Sequence, residues 1–461
     1  MKRIISAILA ITVLLAFAAA YADGIQAAYY NSDYAYLEDE SSVYRSVTLE
    51  EAYYLFQQEG NYLILLGGSW CGNTTPVIGY INEVAKEYGV TVIYNLDFRL
   101  DGTSRSSHIR ETTGAQSQGA EIPGSHFNYL YGEIVTRWLT NLDDFVEYKA
   151  DSTFAVTYTN AAGEEVVVPK VQVPFLFLYN KDHVDENGNP APIVAGLELM
   201  KVRSDFVSED AVDQEAVDEY KQLLRDTVFG AVAQVELSDF TDADYIRLSY
   251  NEKSGREIFS ADDEIAIETV TYRQLLWLLD QEGTVILFLG GSWCPNTQAV
   301  VKIVNDYAVA NGVTVYNFDT KLDGGYARRF WGYERDLHIR DNSNELVSLY
   351  VDLVLGYFFN LETEYTPESG NTIHYENADG VTVTARKLQV PYLLVYTRGL
   401  EDEYAHFVPI TAYVEIMLTL DETREDYVYS EANYAAYTDA ACAVFEAWAS
   451  LTGHEAVRPA E

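Results

Sequence analysis

Residues Val47–Val92 align without a gap to Val270–Val315, and 21 of the 46 positions are identical. A repeat at an offset of 223 residues requires the chain to build one kind of core twice. The identities cluster. Leu66-Gly67-Gly68-Ser69-Trp70-Cys71-Gly72-Asn73-Thr74 recurs as Leu289-Gly290-Gly291-Ser292-Trp293-Cys294-Pro295-Asn296-Thr297, and eight of the nine positions match. Tyr94-Asn95-Leu96-Asp97 returns as Tyr316-Asn317-Phe318-Asp319, and Gln172-Val173-Pro174 as Gln389-Val390-Pro391. The chain reads as a tandem duplication with one domain over residues 23–237 and a second over 238–461.

Each copy runs through the same order of elements. Val47–Gly60 has helical spacing (Leu49, Ala52, Tyr53, Phe56) and a glycine stop. Tyr62–Leu66 is a short apolar run, as in a strand buried on both faces. A cysteine-bearing turn follows, then a helix from about Pro76 to Tyr88 and a β-branched strand at Val90–Tyr94. The resulting βαβ unit sets the two strands parallel. Helical patterning then marks an insertion at Phe127–Leu142 and Leu346–Leu361. A hairpin at Thr372–Arg386 turns at Ala378-Asp379-Gly380, and an apolar strand follows each Val-Pro. Closing helices are expected near Ala211–Val232 and Tyr434–Leu451.

Cys71 and Cys294 stand on the turn between a buried strand and a helix. Free backbone N–H groups and the helix dipole there favour thiolate over thiol. Trp70 and Trp293 supply a flat apolar contact surface beside them. Thr74 and Thr297, one helical turn on, are within reach to donate a hydrogen bond to the sulfur. A proline heading a central strand lacks the ladder donor, which a cis Val-Pro bond in a turn facing the cysteine would explain. The plainer alternative for both cysteines is a buried, inert small residue; a Cys71–Cys294 bond across the domains is a third. Cys442 lies outside the repeated unit and reads as core packing, with a remote resolving thiol as the alternative.

Strand, Trp-Cys-x-x-[Cys/Ser/Thr], helix, a strand ending in Asn-x-Asp, then Val-Pro heading an apolar strand resembles the thioredoxin fold. The resemblance covers most of each repeat. It implies an α/β chain of two tandem thioredoxin-like domains, each a central mixed sheet flanked by helices, with a helical and hairpin insertion before the cis-proline strand. An insertion at that point is similar to that of the secreted disulfide-oxidase branch. By resemblance Cys71 and Cys294 take the attacking-thiol position, Trp70 and Trp293 the preceding tryptophan, and Val173-Pro174 and Val390-Pro391 the substrate-seating cis-proline. Two departures follow. The resolving cysteine is replaced by Thr74 and Thr297, so neither site closes its own disulfide. The buried acid that assists proton transfer falls at Leu65 and Phe288, which cannot ionise.

Composition narrows the partners. With 30 Lys plus Arg against 71 Asp plus Glu, the net charge of −41 disfavours nucleic acid. Lys2 and Arg3, an apolar run to Ala20 and the Ala20-Tyr21-Ala22 site describe a secretory signal peptide over 1–22, cleaved after Ala22. An extracytoplasmic protein of bacterial type, with no stable membrane insertion afterwards, is expected. Asp97, Asp101, Asp319 and Asp323 lack calcium-loop spacing and read as loop caps. His108-Ile109-Arg110 and His338-Ile339-Arg340 recur, either lining a cleft or ending a helix in solvent. No metal or cofactor signature is present. The leading functional expectation is a monothiol protein that forms mixed disulfides with client protein or small-molecule thiols or disulfides, by thiol-disulfide exchange or thiol holding. The rival is a non-catalytic binding or scaffolding module that uses the thioredoxin surface and a tyrosine-rich insertion, although core and sheet positions absorb many of the 37 tyrosines. Enzymatic turnover is left open between them.

Overall fold

The computed structural model describes residues 25–111, 116–117, 120–121, 126–147, 154–198, 200–208, 211–365, 371–418 and 431–459. The expected signal peptide lies outside them. The chain divides into two units, one taking in Gln26–Phe240 and Ala327–Glu334, the other Thr241–Tyr326 and Arg335–Glu461. Among the described residues no helix is long and apolar enough to cross a membrane.

In the first unit a Thr48 capping box, closed by Glu51, starts a helix at Leu49–Leu55. Its strands of three or more residues are β1 (Tyr44–Ser46), β2 (Tyr62–Leu66), β3 (Ile93–Leu96), β4 (Ala155–Thr159), β5 (Glu165–Pro169), β6 (Phe175–Tyr179) and β7 (Ile193–Glu198). Five form a mixed sheet in the order β1-β3-β2-β6-β7. β1, β3 and β2 run parallel, with Ile64 opposite Tyr94, while β6 pairs antiparallel with both β2 and β7. Every residue of β2, β3 and β6 is buried, which their unbroken apolar runs require. β4 and β5 form a separate hairpin that packs on the helix Asn128–Trp138.

The second unit opens its first sheet helix, Tyr272–Asp280, with a Thr271–Gln274 capping box. Its strands are β8 (Ile267–Thr269), β9 (Thr284–Leu289), β10 (Val315–Phe318), β11 (Thr372–Glu376), β12 (Thr382–Arg386), β13 (Tyr392–Thr397) and β14 (Ile410–Val414). The mixed sheet runs β8-β10-β9-β13-β14, with β8, β10 and β9 parallel and β13 antiparallel to its neighbours. β11 and β12 again make a separate hairpin, here beside the helix Val347–Tyr357. Each unit is thus α/β, a five-stranded mixed sheet flanked by helices, consistent with two thioredoxin-like domains.

Some element ends differ from the sequence reading. The β3 strand begins at Ile93 rather than Val90, because Gly89 turns left-handed (φ 71°) and the Val90 N–H returns to Ala85 O. The closing helix of the first unit starts at Gln214, capped by Asp213, and breaks at Thr227 before Val228–Val232.

Candidate functional site

Each site begins where a buried strand ends in two glycines. Asn95 Nδ2 donates to Leu65 O and Gly67 O at 3.0 and 2.9 Å, and Asn317 Nδ2 to Phe288 O and Gly290 O at 2.8 and 2.9 Å. The asparagine of each parallel strand therefore fixes the exit of its neighbour. Cys71 N then donates to Gly68 O and Cys294 N to Gly291 O, both at 3.0 Å.

The two cysteine turns differ downstream. Pro295 occupies the first helical position, where no N–H is needed, so Cys294 caps a 17-residue helix, Pro295–Asn311. Gly72 stands there in the first unit, and Pro76 cannot donate back to it. Residues 72–77 are accordingly turns, and the helix starts only at Ile78. Cys71 O instead takes the N–H groups of Thr74 and Thr75 at 3.1 and 3.2 Å.

The cysteine and the Val-Pro segment meet in both units. Cys71 Sγ lies 3.5 Å from Val173 O, and Cys294 Sγ 3.7 Å from Val390 O, each thiol donating. The Val173–Pro174 and Val390–Pro391 peptide bonds are cis. All three cysteines are free thiols, with Cys71 9% and Cys294 5% exposed. Cys442 is buried in the helix Glu431–Thr452, where burial and the neighbouring Glu446 carboxylate, 3.3 Å away, push its thiol up.

Thr74 and Thr297 are fully buried, and their hydroxyls make no hydrogen bond. The expected bond from threonine to sulfur is not formed. Each Oγ1 faces the preceding glycine instead, 3.0 Å from where a Cβ on Gly67 would lie and 2.8 Å on Gly290.

The tryptophans are held from two sides. Trp70 Nε1 donates to Asp97 Oδ1 at 2.7 Å and Trp293 Nε1 to Asp319 Oδ1 at 2.8 Å. Over their faces stand Arg99, 3.9 Å from the Trp70 ring centre, and Lys321, 4.0 Å from that of Trp293. Desolvation pushes the Asp97 carboxyl up to about 7 against the bonds from Arg99 N and Trp70.

His108 and His338 meet the same tryptophans edge-on, with ring centres 4.9 and 5.2 Å apart. The solvated-helix-end alternative does not hold, for His108 is 2% exposed and Arg110 and Arg340 7% each. Burial pushes His108 down to about 4 despite Glu111 at 3.2 Å. It pushes His338 down to about 2, helped by Arg340, Lys321 and Lys387.

Sequence reasoning missed the clamp on the chain entering each Val-Pro. Tyr131 Oη accepts from Val171 N at 2.8 Å and donates to Pro169 O at 2.7 Å; Tyr350 does the same with Leu388 N and Arg386 O. Arg110 donates to Val171 O at 2.5 Å, and Arg340 to Leu388 O. Glu198 accepts from Gln172 N and Glu415 from Gln389 N. The insertion helix thereby anchors the segment that the cysteine faces. Tyr131→Phe is expected to cost about 1–3 kcal/mol, since a buried N–H and C=O lose their partner. A denaturant midpoint unchanged from the native chain would refute this.

Among the described residues no group of three or more His, Cys, Asp and Glu is placed to hold a metal ion. No family profile and no curated protein matches the chain. Among solved structures it is similar to the human ERp44 zinc-bound form, at 10% identity and a TM-score of 0.16, over 62% of this chain and 49% of that one. It is also similar to ERdj5 form II, at 7% identity and a TM-score of 0.17, over 89% of this chain and 29% of that one. The chain thus spans about half the length of the first and under a third of the second.

Proposed function

We propose that the protein is an exported pair of thioredoxin-like domains whose Cys71 and Cys294 form mixed disulfides with client thiols. The reading is carried by one observation. In both units the sulfur lies within 3.7 Å of the carbonyl that precedes the proline, although about a hundred residues separate them in sequence. A client strand laid along Val173-Pro174 or Val390-Pro391 would bring its own sulfur to that point. The thiolate attacks a client disulfide, one S–S bond forms as the other breaks, and the departing client sulfur leaves as thiolate. With Thr74 and Thr297 in place of a second cysteine, the product waits for an external thiol. Trp70 and Trp293, pinned by their aspartates, form the flat wall of each seat.

The rival reading, a binding module without thiol turnover, draws support from the burial of both cysteines. Trapping separates the two. Native protein incubated with a peptide disulfide is expected to retain the peptide through a bond that dithiothreitol releases. The Cys71→Ala/Cys294→Ala chain is expected to retain none. Equal retention by both would leave only the binding module.

A further inference from the structure

Methionine occurs three times in the chain, as Met1, Met200 and Met417. The two internal ones stand 217 residues apart, the offset that also relates Val173-Pro174 to Val390-Pro391. In each unit the asparagine of Trp-Cys-x-Asn-Thr reaches the thioether. Asn73 Nδ2 donates to Met200 Sδ at 3.0 Å, and Asn296 Nδ2 to Met417 Sδ at 3.5 Å. This contact gives the repeated asparagine a role that the cysteine chemistry does not require. The methionines are also the open part of the site. Met200 is 55% and Met417 43% exposed, whereas Cys71 and Cys294 are 9% and 5%. A small oxidant arriving from solvent therefore meets the thioether before the thiol.

We propose that Met200 and Met417 are paired oxidation sites for hydrogen peroxide and small organic peroxides, and that their oxidation changes access to Cys71 and Cys294. The thioether sulfur attacks the peroxide O–O bond and takes one oxygen. Sulfur loses two electrons, the peroxide gains them, and water (or an alcohol) leaves with the protons. The product oxygen is a better acceptor than thioether sulfur, so the Asn73 and Asn296 amides hold the oxidised side chain at the site. A flexible apolar lip becomes a polar, bonded one. An apolar reagent approaching the sulfur then loses its contact surface.

The proposal rests on the mixed-disulfide reading only for its biological use, and the experiment keeps the two apart. The cysteines of the full mature chain are first protected as methyl disulfides. The protein is treated with hydrogen peroxide and then with dithiothreitol, which frees the thiols and leaves sulfoxide in place. Labelling of Cys71 and Cys294 by an apolar maleimide is followed site by site by mass spectrometry. Peroxide treatment is expected to slow labelling about fivefold in the native chain, with one oxygen added at each methionine, and methionine sulfoxide reductases should restore the rate. In Met200→Leu/Met417→Leu, labelling with and without peroxide is expected to be the same. Equal rates before and after oxidation in the native chain, or the same slowing in the leucine variant, would overturn the proposal. Whether the unoxidised protein captures a peptide disulfide is a separate outcome and judges only the mixed-disulfide reading.

Discussion

Gly291→Ala is expected to destabilise the second unit by about 3 kcal/mol, the upper end of what overpacking costs, and so lower its unfolding midpoint by roughly 10 °C. A Cβ there would sit 1.8 Å from Asp319 Oδ2 and 2.3 Å from its Cγ. The carboxylate cannot swing aside cheaply, because its other oxygen accepts from Trp293 Nε1 and Lys321 N, both at 2.8 Å. Moving it gives up two hydrogen bonds to a half-buried carboxylate and releases the tryptophan beside Cys294. Gly68→Ala meets the same obstacle, with Asp97 Oδ2 at 2.4 Å and Trp70 Nε1 at 2.3 Å. Gly356→Ala is the internal control. It lies in the helix Val347–Tyr357 with nothing near its added Cβ, so alanine is expected to stabilise by up to about 1 kcal/mol. Differential scanning calorimetry of the three variants decides the matter. Gly291→Ala melting with the native chain would mean that the Trp-Asp pair relaxes at little cost.

That glycine shows what the sequence could and could not disclose. The repeat exposed Gly67-Gly68 and Gly290-Gly291 as paired features, yet the reason for the second glycine of each pair is an aspartate 28 or 29 residues further on. The βαβ order and the central strands were legible because they are continuous apolar runs, and buried parallel strands leave no other pattern. The Pro-loop clamp was not. Tyr131, Arg110 and Glu198 come from three distant stretches, and a buried Tyr-to-backbone bond has no period in sequence. The recurring His-Ile-Arg that carries Arg110 and Arg340, and the offset of 217 that pairs Glu198 with Glu415, hinted at it. The threonines show the opposite failure. Cys-x-x-Thr spacing predicts a bond to sulfur on an ideal helix, but the hydroxyl packs against the glycine corner instead.

Acidification from pH 7 to pH 5 is expected to cost the second unit the stability that its neutral His338 supplies. His338 is held neutral in the fold, down at about 2, while the unfolded chain protonates it near 6.5. Below pH 6.5 the unfolded state therefore binds the extra proton, and stability falls as pH falls. The cause is visible. Arg340 Nε donates to His338 Nε2 at 3.4 Å, and Lys321 and Lys387 add positive charge, so a protonated ring would face three cations. Asp336 pairs with Lys321 across 2.7 Å. At about 1.4 kcal/mol per pH unit, the loss by pH 5 is about 2 kcal/mol. In the first unit His108 pulls the same way down to about 4. There it meets Asp97, whose folded value near 7 makes the folded state the stronger proton binder between about 4 and 7. The two slopes oppose. Glu198 and Glu415, both pushed up by burial, favour the folded state on acidification, each in its own unit. Hydrogen exchange read peptide by peptide at pH 7 and pH 5, corrected for the intrinsic rate, should show protection lost over β9, β10 and β13. His338→Gln, which keeps an acceptor for Arg340 and cannot take the proton, should restore protection at pH 5. A loss that His338→Gln leaves untouched would place the acid-sensitive group elsewhere.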